Sequence, residues 1–132
     1  MHTKSDIRSI DDIRLLVDTF YGAIKTDPMV GPIFIGVIGN RWPEHLQKMY
    51  GFWETILLGE HSYAGNPFKP HARMPLYQEH FDTWLTLWHG TIDRFFSGPV
   101  ADEAKWRAGK MAIVFLSRIE DYRNDPSAIP LI

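Results

Sequence analysis

Between Ser9 and Thr26 the apolar residues Ile10, Ile13, Leu16, Val17, Phe20, Tyr21 and Ile24 recur at intervals of three and four, the spacing that lines one face of an α-helix. Ser9 suits the cap, and Asp11 and Asp12 suit the first turn, where carboxylates meet the positive end of the helix dipole. Asp27-Pro28 ends the element. The following stretch, PMVGPIFIGVIGN, carries three glycines, two prolines and several β-branched residues. It reads as a compact apolar loop or a short helical turn. A second long helix is predicted from Pro43, in a first-turn position, to Leu58, with Gly59 as its stop. His45, Met49, Phe52 and Ile56 form one stripe along it, with Leu46, Trp53 and Leu57 beside them.

From Gly59 to Pro75 the chain reads GEHSYAGNPFKPHARMP, mostly loop by its glycines and prolines. A loop of that length in a compact domain points to function or disorder, and its aromatic residues and three prolines argue against disorder. A third helix is predicted over Leu76 to Phe96, with Tyr77, Phe81, Trp84, Leu85, Trp88, Ile92, Phe95 and Phe96 on a wide apolar face. A fourth runs from Ala101 to Tyr122, carrying Ala104, Ala108, Met111, Ala112, Phe115 and Ile119. The tail NDPSAIPLI is irregular by its prolines. Strand-like runs are short and no repeat is visible, so the expectation is an all-α single domain spanning residues 1–132.

Composition narrows the chemistry. Hydrophobic residues make up 45% of the 132 positions and aromatic ones 14%, enough to build a core and to raise the question of what flat ligand the rings pack against. Net charge is −2, with both signs interspersed, so no field exists to attract nucleic acid or anionic lipid. The absence of cysteine excludes disulfides, thiolate nucleophiles, iron–sulfur clusters and covalent haem attachment. Any metal must be held by His, Asp, Glu or a cofactor. The N-terminus lacks a signal-peptide pattern and no apolar run approaches membrane-spanning length. A soluble cytoplasmic protein is expected.

Of the six histidines, His2, His61 and His89 sit at a terminus, in a polar loop and among mixed neighbours, and read as surface residues. His80 follows Gln78 and Glu79, with no H-E-x-x-H or E-x-x-H spacing to make a zinc or di-iron site. His45 differs: it lies on an apolar stripe, where an unsatisfied imidazole costs about 1–3 kcal/mol. Tyr21 and Trp84 raise the same question for a hydroxyl and an indole N–H. Each alone is readily a core residue satisfied by a carbonyl or water. Three together suggest a convergent set of donors. His71 stands apart, in a loop braced by Pro67, Pro70 and Pro75.

These segments resemble the truncated haemoglobins, and most closely their third group. The resemblance is carried by FYGAIKTDPMVGPIF, WPEHLQKMYGFWETILLG, PFKPHARMPL and HFDTWLTLW, and covers residues 7 to 120. It implies a two-over-two helical sandwich around haem b, iron protoporphyrin IX. Position by position it makes His71 the proximal iron ligand. Tyr21, His45 and Trp84 become the groups that stabilise a ligand on the distal side. It sets Phe34 against the haem, makes Met49 a pocket wall and Phe52 and Trp53 packing residues, and leaves Lys69 and Arg73 as partners for the propionates. The three prolines limit the freedom of the loop and so present His71 at little ordering cost.

The resemblance further implies oxygen, carbon monoxide and nitric oxide as ligands, with cyanide or peroxide as further candidates and an unidentified reductase as partner. Donors from Tyr21 and Trp84 predict tight, slowly released oxygen, which favours chemistry on the gas, such as conversion of nitric oxide to nitrate, over oxygen transport. One alternative is a peroxidase-type enzyme acting on hydrogen peroxide, with His45 moving a proton; His45 as a gate is another role for the same residue. A haem-free helical interaction module is the third reading. No nucleic acid or membrane partner is expected, and the assembly is expected to be a monomer or weak homodimer.

Overall fold

A computed structural model describes residues 4–63 and 74–125, which form five α-helices: α1 (Ile10–Thr26), α2 (Gly31–Ile38), α3 (Trp42–Leu58), α4 (Gln78–Phe95) and α5 (Pro99–Asn124). The apolar face of α1 is buried in full at Ile13, Leu16, Val17, Phe20, Tyr21 and Ile24. Ser9 caps the helix by accepting from the Asp12 N–H. Helix α1 packs on α3 and on α4, and α4 packs on α5, giving the two-over-two sandwich.

Helix α2 occupies the stretch whose composition reads as loop or turn. Its corner is built by Asp27, whose Oδ1 accepts from the N–H groups of Met29 (2.8 Å) and Val30 (3.0 Å). Gly31 is required there, because a Cβ would lie 2.8 Å from the Lys25 carbonyl oxygen and 2.9 Å from that of Ile24. At its far end, the Arg41 guanidinium donates to the Val37 carbonyl at 2.9 Å. Eight residues rich in Ile, Val and Gly show little helical period, and the helix is bounded instead by the Asp27 corner before it and by Gly39, whose N–H donates to the Ile35 carbonyl, at its end. Helix α3 begins with Trp42 and Pro43 and stops at Gly59 in the left-handed conformation (φ 73°).

Helix α4 starts two residues later than its apolar pattern suggests. The Tyr77 backbone N–H donates to His80 Nδ1 at 2.9 Å, so the histidine satisfies a group at the helix start. Helix α5 starts two residues earlier than expected, at Pro99, because its cap comes from the other end of the chain. Asp6 accepts from the N–H groups of Val100 (2.9 Å) and Ala101 (2.8 Å), and also from its neighbour Ile7 (2.8 Å). Gly98 (φ 142°) gives it room, since a Cβ there would meet Asp6 Cγ at 2.6 Å. Burial pushes the Asp6 carboxyl up, but the three N–H donors and nearby Arg8 outweigh it and hold its pKa below the ordinary 3.8.

Two predictions follow from these contacts. A folded pKa below the unfolded one means that the Asp6 contribution is complete above about pH 4 and is lost as pH falls through the folded value. Asp6→Ala should therefore cost about 1 kcal/mol in denaturant unfolding at pH 7. The gap from wild type should narrow below about pH 4; an equal gap at pH 7 and pH 3 would show that the carboxylate is not the cap. Gly51, buried in α3, touches the segment after that helix, and a Cβ would lie 2.6 Å from the Ser62 carbonyl oxygen. Gly51→Ala should lower the melting temperature, because about 1–3 kcal/mol of overpacking exceeds the ~1 kcal/mol that alanine adds to helix propensity. A raised melting temperature would mean that Ser62 moves away freely.

Candidate functional site

The aromatic residues of α1, α2 and α3 meet near the C-terminal end of α1. Tyr21 is buried, and four rings touch it: Phe20 (centroids 5.0 Å apart), His45 (5.1 Å), Trp42 (5.8 Å) and Phe34 (6.1 Å). The Tyr21 and His45 rings are almost perpendicular, at 88°, which sets the positive edge of one against the negative face of the other. Burial pushes the Tyr21 phenol well above its usual pKa, so the hydroxyl keeps its proton. His45 is half-buried, with its Nε2 shielded from solvent.

Each position follows from a local cause. Tyr21 and Phe20 are neighbours in the last two turns of α1, on its core-facing side. Phe34 reaches Tyr21 because the Asp27 corner folds α2 back against the end of α1. His45 is one turn into α3, and Met49, one turn further, packs on the same core. Tyr21, Phe20, Phe34, Trp42, Phe52, Trp53, Trp84 and Trp88 belong to one continuous apolar cluster.

Trp84 joins this cluster by another route. It lies edge-on to Phe20, with centroids 5.8 Å apart, and parallel to Trp88 at 6.3 Å, so Phe20 contacts both Tyr21 and Trp84. Phe52 and Trp53 are deep in the core: Trp53 stacks on Trp88 with centroids 4.5 Å apart, and Phe52 meets Trp53 and Tyr63 edge-on, each at 5.3 Å. His71, Lys69 and Arg73 lie outside the described residues.

Both chain segments leading to His71 are nevertheless fixed to helices. On one side, Ser62 Oγ donates to the Glu54 carboxylate at 2.7 Å, with the Gly51 carbonyl 3.2 Å away. On the other, Arg123 of α5 donates to the carbonyls of Leu76 and Met74, and its guanidinium lies 3.9 Å from the centre of the Tyr77 ring. Sequence reading missed Arg123, and no local signal marks a contact made across 47 residues. It also passed over Trp42, although that residue precedes His45 by three positions on the same helix, a spacing that signals a shared face.

The Tyr21 hydroxyl and the His45 imidazole are the polar groups of this ring cluster, a set that suits a small polar ligand. A protonated buried phenol faces an imidazole, and Phe20, Phe34 and Trp42 wall them in. Among the described residues no group of three or more His, Cys, Asp or Glu side chains could hold a bare metal ion, and no helix is long and apolar enough to cross a membrane. A shallow groove of about 880 Å³ on the outside of α4 and α5, bordered by Phe81, Leu85, Trp106 and Ile113, shares no residue with the aromatic cluster.

Comparison with known proteins agrees with this arrangement. A family profile described as bacterial-like globin matches residues 7–112. The chain is 33% identical over 116 residues to the group 3 truncated hemoglobin ctb of Campylobacter jejuni, covering 85% of this chain and 91% of that protein. It is 37% identical over 71 residues to the group 1 truncated hemoglobin GlbN of a Nostoc species, covering 53% of this chain and 58% of that one. Its structure superposes on the crystal structure of the group III truncated hemoglobin from Campylobacter jejuni with a TM-score of 0.80 and 31% identity, over 89% of this chain and 95% of that one. The chain belongs to the bacterial-like globins, as a truncated haemoglobin of the third group.

Proposed function

We propose that the chain holds haem b through His71 and binds diatomic gases beside Tyr21 and His45, retaining oxygen long enough to react with it. One observation supports this above the rest: Tyr21, buried and with its phenol kept protonated, lies edge-on to His45 at 5.1 Å. A buried donor is costly unless something accepts from it, and a gas ligand with partial negative charge is such an acceptor. Family membership supports haem as the group that brings the ligand here.

In this reading the haem, when bound, supplies an iron that takes up diatomic ligands and changes oxidation state. The chain supplies everything else. His71 would hold the iron, Lys69 and Arg73 would pair with the propionates, and Phe34, Met49, Phe52 and Trp53 would border the pocket or back it. Tyr21 Oη donates to the ligand, Trp84 offers a second N–H, and His45 is the group placed to move a proton between pocket and solvent. Phe20 and Phe34 exclude water, which strengthens each of those hydrogen bonds.

A charge-assisted bond of about 1.5–3 kcal/mol, at 1.4 kcal/mol per tenfold, slows ligand release roughly 10- to 100-fold per donor. Such retention suits detoxification of oxygen or nitric oxide better than transport, and a reductase would return the iron to its starting state. Oxygen-loaded protein mixed with nitric oxide should accordingly yield nitrate one-for-one.

The absorption spectrum of the reduced, carbon monoxide-treated protein tests the reading most directly. Wild type should show an intense haem band, and His71→Ala should fail to retain haem through gel filtration. Full retention in that variant would remove His71 from its role. Tyr21→Phe should release oxygen at least about tenfold faster in stopped-flow displacement; an unchanged rate would mean that the hydroxyl does not reach the ligand.

A further inference from the structure

We propose that Trp42, pinned by Lys25, is a positioning residue that keeps the His45 imidazole edge-on to Tyr21. The inference deepens the proposed function and rests on its reading of Tyr21 and His45 as the ligand-facing pair.

Trp42 opens α3, one turn before His45, so the two side chains share a face of the helix. Its indole meets His45 at a centroid distance of 5.9 Å and 85°, and Tyr21 at 5.8 Å and 68°. With the Tyr21–His45 contact at 5.1 Å, the three rings form a closed triangle in which each touches the other two. Tyr21 is the buried corner, whereas Trp42 and His45 are half-buried. The imidazole, one turn inside α3, therefore has the phenol on its inner side and the indole beside it.

The third corner is held from α1. Lys25, exposed in the last turn of that helix, places its Nζ 4.1 Å from the centre of the Trp42 ring, within the range of a cation–π contact. Its charge also suits the negative end of the α1 dipole, so the position favours a cation on two counts. Lys25 and Trp42 together clasp the end of α1, which carries Tyr21, to the start of α3, which carries His45.

The consequence concerns how many arrangements His45 can adopt. A half-buried imidazole on a helix surface has other rotamers open to it unless neighbouring rings fill the space. The indole fills it. Without that ring, His45 can turn away from Tyr21, and a bound ligand then meets the phenol alone.

Infrared spectroscopy of the carbon monoxide-bound, reduced protein reads this directly, because the C–O stretch reports the polar groups facing the ligand. Wild type should show one dominant band, with any second arrangement at about 10% or less. In Trp42→Ala a second band should rise to comparable intensity. Trp42→Phe, which restores a ring, should return the wild-type pattern. Lys25→Ala should show a smaller second band, and Lys25→Arg should not. A melting temperature lowered in Trp42→Ala with its band pattern unchanged would make Trp42 mere packing and overturn the inference. Should Trp42→Ala fail to fold, a Lys25→Ala spectrum identical to wild type overturns the clasp, and a split one supports it. A wild-type protein that binds haem but gives no band sensitive to Tyr21→Phe or His45→Ala would instead bring down the underlying reading, a result separable from any outcome at Trp42.

Discussion

The structure depends most on one buried ring. Trp88, on α4, has no exposed surface, and its indole N–H donates to the Ala104 carbonyl of α5 at 3.1 Å. Phe20 of α1 meets it edge-on at 4.9 Å, Trp53 of α3 stacks on it at 4.5 Å, and Trp84 lies parallel to it one turn away. A single side chain thus joins four helices. Its hydrogen bond removes the cost that a donor would otherwise impose on the core, and the small residues Ala104 and Ala108, fully buried in α5, let that helix approach closely.

The same core treats two of its buried polar rings, Trp88 and Tyr21, in different ways. Trp88 spends its donor on a backbone carbonyl and becomes purely architectural. Tyr21, one ring away through Phe20, keeps its proton under desolvation. A protonated phenol held among aromatic rings is the kind of local polar exception that suits the proposed ligand recognition.

Chain connections hold this ring cluster in place. The Asp27 corner folds α2 back so that Phe34 reaches Tyr21, and Gly31 permits the backbone approach that this needs. Asp6, at the opposite end of the chain from the helix it caps, ties the start of α5 to the N-terminal segment, where the Ser97 N–H also donates to the Ser5 carbonyl. Ser62 and Arg123 fix the described segments on either side of residues 64–73. The elements that carry the candidate chemistry are therefore braced by contacts distant in sequence, and rigid placement of that kind is what a preorganised site requires.

Periodicity alone determined the four long helices, the buried faces of α1 and α3, and the suspicion attached to Tyr21 and His45, because each of these is a repeat of local spacing along one chain segment. The stop at Gly59 and the proline-led start of α3 were legible for the same reason. Motif resemblance added the family and His71, which no periodicity could single out. Tertiary structure alone decided that Trp42 shares a ring triangle with Tyr21 and His45, that Trp88 is the hub, that Asp6 caps α5 and that Arg123 holds Met74 and Leu76. Apart from the Trp42–His45 pair, those contacts join residues from 16 to 94 positions apart. Their geometry depends on how whole helices pack, so no window of sequence contains them.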